Sequence, residues 1–322
     1  MARRNREGCQ PVVKVTDITR QEWLKYRRTG IGGSDAATIV GLNPWSSPYY
    51  LFCDKMGALP EKEDSEAMRQ GRDLEQYVAD RWMERTGKTC RRNNYMWRST
   101  RWPWMLADID REIVGENAGL ECKTTSVYNR YDLQGGEIPL TYYVQCQHYM
   151  AVMGFDRMYL AVLVLNKGFY DFIIERDQEE IEALAAAEEE FWERLRLKEP
   201  PPIDGSEATQ NAIRAMYPQE DSGFEMVLPI TVDEELERLE SIQQLIKDLK
   251  NQCDGIKNRV MERMGDAALA VTKKHTCSWR TMRHKALDTN RLKAEHPELY
   301  KEYTKTTESR VFSVKNRTQE DD

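Results

Sequence analysis

Asp110, Glu121 and Lys123 are the residues whose types and spacing could do chemistry. They sit in two short stretches, Leu106-Ala-Asp108-Ile-Asp110-Arg111 and Gly119-Leu-Glu121-Cys-Lys123-Thr124. Side chains alternate along a strand, so Glu121 and Lys123 share one face while Leu120 and Cys122 share the other. An acid beside a lysine on an otherwise apolar strand is costly unless the two form a structural ion pair or a working site. If the turn over 115–119 closes a symmetric hairpin, Asp110 lies across from Lys123 and diagonal to Glu121. Two carboxylates and a backbone carbonyl then offer hard oxygen donors of the kind Mg²⁺ takes. Such an ion polarises a phosphoryl oxygen and lowers the pKa of an attacking water. A nearby lysine orients that water or meets the negative charge that develops. Alone, the spacing is unspecific, because an acid and a lysine two apart recur by chance in any charged chain.

Other groups give the spacing support. Glu75 falls on the helical stripe Gly71, Leu74, Val78, Trp82, which should face inward. A carboxylate there must be paired, with Arg72 for instance, or contribute to a metal shell. Gly32-Gly33-Ser34 precedes a helical pattern, which makes it either an anion site or a plain N-cap after a flexible turn. Gln145 and Gln147 either hydrogen-bond a nucleotide or lie at an exposed edge.

The elements that must position these residues follow from start and stop signals. Thr19-Arg-Gln-Glu22 is a capping box that opens a helix through Arg28. Gly30-Ile-Gly-Gly-Ser34 interrupts it, and Asp35-Ala-Ala-Thr-Ile-Val40 restarts a helix. Helices are predicted over 48–56, 65–86, 141–153 and 178–197, and strands over 90–98, 104–114 and 120–125. Two apolar runs, 158–165 and 169–174, joined by Asn166-Lys-Gly168, read as a hairpin. The fold class is therefore α/β, a mixed α+β sheet flanked by helices, ending at Pro200-Pro-Pro202. Domains are expected at 1–205 and 206–322. In the second, apolar residues recur at 239, 246, 253 and 260 and at 242, 249 and 256. That heptad is the seam of a coiled coil or a helix lying on its own domain. A basic segment with strand-like stretches follows, around a helix near 288–303.

Composition narrows the function classes. Of 322 residues, 40% are hydrophobic and 31% charged, enough for a buried core and too polar for wholesale membrane burial. No apolar run approaches the roughly 18 residues of a membrane span, and no apolar stretch follows the basic N-terminus. The expectation is a cytoplasmic protein with no membrane partner. The seven cysteines are scattered without a CxxC, which reads as reduced thiols, with no zinc site. The net charge of -7 argues against binding nucleic acid by bulk charge, but the average hides patterning. Residues 1–30 carry eight Lys/Arg against three acids, 81–102 carry seven against Glu84 alone, and 273–317 carry twelve against five. Local basic surfaces of this kind bind polyanions whatever the total charge.

In order, the blocks Arg28-Thr-Gly-Ile-Gly-Gly-Ser34-Asp-Ala-Ala, Gly71-Arg-Asp-Leu-Glu75, Ala107-Asp-Ile-Asp110-Arg, Gly119-Leu-Glu121-Cys-Lys123-Thr and Gln145-Cys-Gln147-His-Tyr-Met resemble the YqaJ-type viral recombinase family. That family is related to phage lambda exonuclease within the PD-(D/E)xK nuclease superfamily, and the resemblance covers roughly residues 20–200. It implies a restriction-endonuclease-like core and a Mg²⁺-dependent alkaline exonuclease, with Mn²⁺ as a substitute. Such an enzyme digests the 5′ strand of linear double-stranded DNA and leaves 3′ single strands to a phage single-strand annealing protein. By the same resemblance, Asp110, Glu121 and the Cys122 carbonyl hold metal, Lys123 is the catalytic lysine, and Glu75 is the helix acid beside the metals. Arg28 and Ser34 receive the 5′ phosphate, and Gln147 is the motif glutamine. Relatives form ring-like trimers, so a homo-oligomer in a phage-infected or lysogenic host is implied. The acid motif here reads Asp-Ile-Asp-Arg rather than Pro-Asp-Gly, so Asp108 competes with Asp110, and the following Arg111 favours Asp110.

Other readings share these residues. A PD-(D/E)xK endonuclease uses the same core, and an inactive DNA-binding scaffold is disfavoured by the intact Asp110, Glu121 and Lys123. An iron–sulfur nuclease needs three cysteines clustered after the core, where only Cys253 and Cys277 stand. The C-terminal part is a DNA clamp, a partner dock or an oligomer seam.

Overall fold

The computed structural model describes residues 8–61, 64–128, 131–221 and 223–315. The chain divides into two units, up to Tyr217 and from Pro218. The first runs β1 (Cys9–Lys14), α1 (Arg20–Arg27), β2 (Ile31–Gly32), α2 (Gly33–Ile39), α3 (Pro48–Lys55) and α4 (Glu66–Thr86). It continues with β3 (Cys90–Arg92), β4 (Tyr95–Ser99), β5 (Met105–Ala107), β6 (Arg111–Ile113), β7 (Ala118–Thr125) and α5 (Leu140–Met153). Then come β8 (Arg157–Val164), β9 (Gly168–Glu175), α6 (Gln178–Leu197) and α7 (Glu207–Met216).

Local chemistry sets the helix limits. Thr19 and Glu22 close the expected capping box on α1. Ser65 caps α4, and Gly87 ends it in the left-handed conformation. One five-stranded sheet has the order β3-β6-β7-β8-β9, and a four-stranded one has β1-β4-β5-β2. β7 and β8 run parallel, the neighbouring pairs in that sheet antiparallel. α4 lays Val78, Ala79 and Trp82 on Ala118 and Leu120 of β7. α5 buries Cys146, Met150, Val152 and Met153 against Leu160 and Val162 of β8. The mixed sheet flanked by helices is the architecture that the periodicities predict.

Two predicted strands are each divided. The stretch 90–98 becomes β3 and β4, and 104–114 becomes β5 and β6, with each half in a different sheet. Within these two stretches the chain therefore crosses between sheets, at Asn93-Asn94 and at 108–110. Asn93 ties the crossings together. Its N–H donates to the Asp110 carbonyl at 3.3 Å, and its amide donates to Glu112 Oε1 at 2.8 Å. An apolar run continues smoothly through such a crossing, so periodicity alone does not show it.

The boundary lies beyond the proline triplet rather than near residue 205. α7 belongs to the first unit because Ala212 is fully buried with Phe52 and Phe191. The Thr209 hydroxyl also bonds Ser47 Oγ at 2.7 Å.

The second unit holds α8 (Thr231–Met264), the hairpin β10 (Leu269–Val271) and β11 (Thr276–Ser278), α9 (Thr289–Glu295) and α10 (Pro297–Glu302). The helix expected near 288–303 is thus two, divided at His296-Pro297. On α8 the expected seam is not covered: Ile246, Leu249 and Ile256 are 59%, 50% and 55% exposed. Met264 is the one buried residue of that helix. Among the described residues of the second unit, no other helix completes the heptad.

Candidate active site

The site is built on β7, and the register of its hairpin decides the geometry. Gly115 sits at φ +88°, where glycine is favoured, and makes the turn early. β6 then pairs with Arg111 opposite Leu120 and Glu112 opposite Gly119. That register sets Asp110 opposite Glu121, not opposite Lys123 as a turn centred later would. Pairing stops at Arg111, so the edge of β7 at Cys122 is open, and the Cys122 N–H donates to Asp110 Oδ2 at 2.8 Å. The N–H and C=O of one strand residue face the same neighbour, which leaves the Cys122 carbonyl on this edge too.

On the shared face of β7, Lys123 Nζ lies 2.6 Å from Glu121 Oε1. The same oxygen accepts from Gln145 Nε2 at 2.7 Å. Glu121 is 3% exposed, and its Oε2 has no hydrogen-bond partner. The Lys123 ammonium stands 5.3 Å from the centre of the Tyr142 ring, within cation–π reach.

Burial and charge perturb all three groups. Burial, then the neighbouring Glu121 and Glu75 charges, push Asp110 well above the usual carboxylate range. Burial raises Glu121 as well, against the pull of Lys123. Burial works against the Lys123 charge, yet Glu121 outweighs it and raises the ammonium pKa. A buried carboxylate and a half-buried one served by one ammonium form a set short of positive charge.

Glu75 reaches this set from α4, by a different pairing than the helix alone suggests. Its Oε1 accepts from Arg111 at 2.5 Å and from Arg92 at 3.4 Å. Arg72, the partner offered by sequence proximity, instead pairs with Asp64. Arg111 is only 2% exposed and ties Glu75 to the β6 edge beside Asp110.

A second cluster lies around Ser34. Ser34 does not cap α2. Gly32 holds the cap position, and the Asp35 carboxylate accepts its N–H at 3.0 Å. The guanidinium facing Ser34 is that of Arg27: its Nη2 donates to Ser34 Oγ at 2.9 Å and to Asp35 Oδ1 at 2.6 Å. Arg28, the arginine expected here, is the C-cap of α1 and turns toward Asp54 at 3.6 Å. The signal that separates the two is helical spacing: Trp23 and Arg27 lie one turn apart on one face, with the guanidinium 5.3 Å from the indole. Lys55, 9% exposed, donates to the Arg27 and Gly30 carbonyls and to Asp35 Oδ2 at 2.8, 2.7 and 2.7 Å. Three acceptors match the three donors of an ammonium. Arg27 and Lys55 outweigh burial and hold Asp35 well below the usual carboxylate range. Two cations on one carboxylate leave a surplus positive charge. Gly33 permits the close packing, since a Cβ there would lie 2.6 Å from the Tyr149 ring and 3.0 Å from Gln145.

Gln147 is not in the site. It is buried, donates to the Glu175 carbonyl at 2.9 Å and accepts from the Asp177 N–H at 3.1 Å, joining α5 to the end of β9. Gln145, two residues earlier on the same helix, is the glutamine against Glu121. Neither lies at an exposed edge. Asp108 also differs from Asp110, because its Oδ2 accepts from the Trp23 indole at 2.8 Å rather than from β7.

One cleft of about 920 Å³ is lined by Asp110, Glu121, Cys122, Lys123 and Glu75 together with Arg28 and Ser34. Arg27 and Asp108 line it as well. Among the described residues, no three His, Cys, Asp or Glu side chains converge as a metal cage. The oxygen donors on this edge are two carboxylates and a carbonyl, with Glu121 Oε2 unpartnered. That set suits a hard cation that keeps several waters. No helix among the described residues is long and apolar enough to cross a membrane.

Comparison with known proteins gives the chain a family. Residues 22–156 match the model of the YqaJ-like viral recombinase domain. YqaJ of Bacillus subtilis (strain 168), an uncharacterized protein, is 37% identical over 311 residues, which is 95% of this chain and 98% of the relative. Among solved structures, the chain is similar to an alkaline exonuclease (LHK-Exo) from Laribacter hongkongensis, with 18% identity and a TM-score of 0.46 over 55% of this chain and 93% of that one. It is also similar to a phage-related exonuclease from Haemophilus somnus 129PT, with 13% identity and a TM-score of 0.43 over 55% and 99%. The match of 37% along nearly the whole of both chains decides the matter: this chain belongs to the YqaJ family of viral recombinase proteins.

Proposed function

We propose that this chain is a divalent-metal-dependent exonuclease that digests the 5′ strand of linear duplex DNA. The 3′ strand it leaves suits a single-strand annealing protein in phage-type recombination. One observation carries the reading: the Cys122 N–H holds Asp110 Oδ2 at 2.8 Å beside Glu121, whose Oε1 lies 2.6 Å from Lys123 Nζ. A Mg²⁺ or Mn²⁺ ion held by Asp110, Glu121 and the Cys122 carbonyl would neutralise phosphoryl charge and supply an ionisable water.

The chain's own groups do the rest. The Cys122 N–H fixes one oxygen of Asp110, a residue that lines the cleft. Gln145 and Lys123 hold Glu121 Oε1, which frees Oε2 as a donor. The Lys123 ammonium orients the attacking water or meets the charge developing on the phosphoryl group. Arg27 and Ser34 offer a guanidinium and a hydroxyl to a terminal 5′ phosphate, and their surplus positive charge favours a dianion. A phosphate bound at that end sets which linkage lies over the acids, and this is the basis of the 5′ polarity.

The test is digestion of linear, nicked-circular and closed-circular duplex, phosphorylated or not at the 5′ end, with Mg²⁺ or with EDTA. The reading expects loss of linear duplex only, faster with a 5′ phosphate, and none in EDTA. Cutting of closed circles would replace it with an endonuclease.

A further inference from the structure

We infer that Trp45 is a base-stacking contact for the DNA end, an assignment that rests on the nuclease reading and goes beyond its metal and phosphate groups. Trp45 is 88% exposed, far more than an indole of the core or a satisfied surface position requires. It stands in the loop between α2 and α3, and that loop is held in place. The Asn43 amide donates to Thr38 Oγ1 at 2.9 Å, and Asn43 Oδ1 accepts the Trp45 N–H at 3.0 Å. Ser47, 2% exposed, caps α3 and bonds Thr209, so the loop is anchored at its far end too. The backbone that carries the indole is fixed before any ligand arrives.

The position supplies the chemistry. Asn43 and Ser46, on either side of Trp45, line the same cleft as Arg27 and Ser34. The guanidinium of Arg27 beside Ser34 gives that end of the cleft a cation for a backbone phosphate, and an aromatic ring next to such a cation is a means by which proteins hold unpaired bases, since every base has a π-face. A ring at this rim would favour a terminal base lifted from its partner, which an enzyme consuming one strand of a duplex has to provide. A protein partner at the same ring would have no dependence on bases.

The experiment uses the full chain in EDTA, so that binding is read without cleavage. The probes are 5′-phosphorylated duplexes with intact or abasic terminal nucleotides, some carrying 2-aminopurine near the 5′ end. Trp45→Ala should bind the intact end about 5- to 150-fold more weakly, the range of one lost base stack. Trp45→Phe should retain most of the affinity. Abasic ends should bring the wild type down to the Trp45→Ala level and leave Trp45→Ala unchanged. The 2-aminopurine fluorescence should be quenched by the wild type and not by Trp45→Ala. Equal wild-type affinity for intact and abasic ends, or unaltered binding by Trp45→Ala, overturns the assignment. The wild-type abasic comparison does not depend on how any variant folds. Failure of the wild type to hydrolyse DNA with Mg²⁺ would instead strike the nuclease reading.

Discussion

Asp110 stands one residue beyond the last β6–β7 pair, and the N–H of Cys122, the neighbour of Glu121, holds its Oδ2 at 2.8 Å. A half-buried and a buried carboxylate are thereby brought together on one strand edge, with Lys123 2.6 Å from Glu121. The pair should govern both turnover and stability, in opposite directions.

The first expectation concerns pH. Both folded carboxyls titrate above their ordinary values, so each favours folding while protonated. That contribution is present below the unfolded carboxyl pKa and is lost as pH rises through the raised folded value. Without metal, the melting temperature should fall as pH climbs out of the usual carboxylate range. Added Mg²⁺ should restore most at the upper end. Asp110→Asn should melt above the wild type in EDTA at neutral pH and gain nothing from Mg²⁺. A constant gap between the two proteins across pH, read by calorimetry, would refute this.

The second concerns the lysine. Lys123→Met and Glu121→Gln should each reduce the rate by about 10²–10³-fold, the scale of losing one preorganised charge-stabilising group. Circular dichroism should show both folded. More than about a tenth of the wild-type rate in either, a loss of only ~1.4 kcal/mol of barrier stabilisation, would remove that residue from the chemistry.

The third separates adjacent arginines. Arg27→Gln should erase the preference for a 5′-phosphorylated end, while Arg28→Gln keeps it, because only Arg27 faces Ser34. Rates on phosphorylated and hydroxyl ends, measured side by side, decide it. The reverse result would return the pocket to Arg28.

The fourth concerns a buried pair behind the site. His148 Nδ1 meets Glu188 Oε1 at 2.8 Å, and its Nε2–H donates to the Leu106 carbonyl at 2.9 Å, all without exposure. Glu188→Ala strands the imidazole and should cost about 3–5 kcal/mol of stability. The double change His148→Leu, Glu188→Leu should recover much of that loss. If denaturant unfolding shows additive losses, the two do not act as a pair.

Much of this was legible in the sequence, for identifiable reasons. Helix limits follow from Thr19, Ser65 and Gly87 because capping chemistry is local. Glu121 and Lys123 share a face because strand alternation is local too. The partner of Asp110 depends on which residue of the turn takes positive φ, and two glycines, Gly115 and Gly119, competed for that role. The sheet crossings at Asn93 and at 108–110 are tertiary, so their apolar runs read as single strands. Arg27 was obscured by Arg28 beside it, although Trp23 one turn back marks the inward face. Gln145 and Gln147 differ only in which neighbour α5 turns them toward, and spacing does not contain that. The α8 heptad is plain in the sequence, but whether a partner covers it is not a property of the chain alone.

The crossing at 108–110 makes Asp110 a joint between two sheets rather than a member of either. β5 is three residues long and β2 two, so burial rather than backbone pairing holds that side: Met105, Leu106, Ala107 and Ile109 are all nearly without exposure, and Met105, Ala107 and Ile109 pack in the core with α5. A segment held in that way opens with the core that covers it, not ahead of it. On warming, Asp110 should therefore keep its place until α5 lets go. The site would then share the melting point of its core, seen as amide exchange over 105–109 as slow as that of α5.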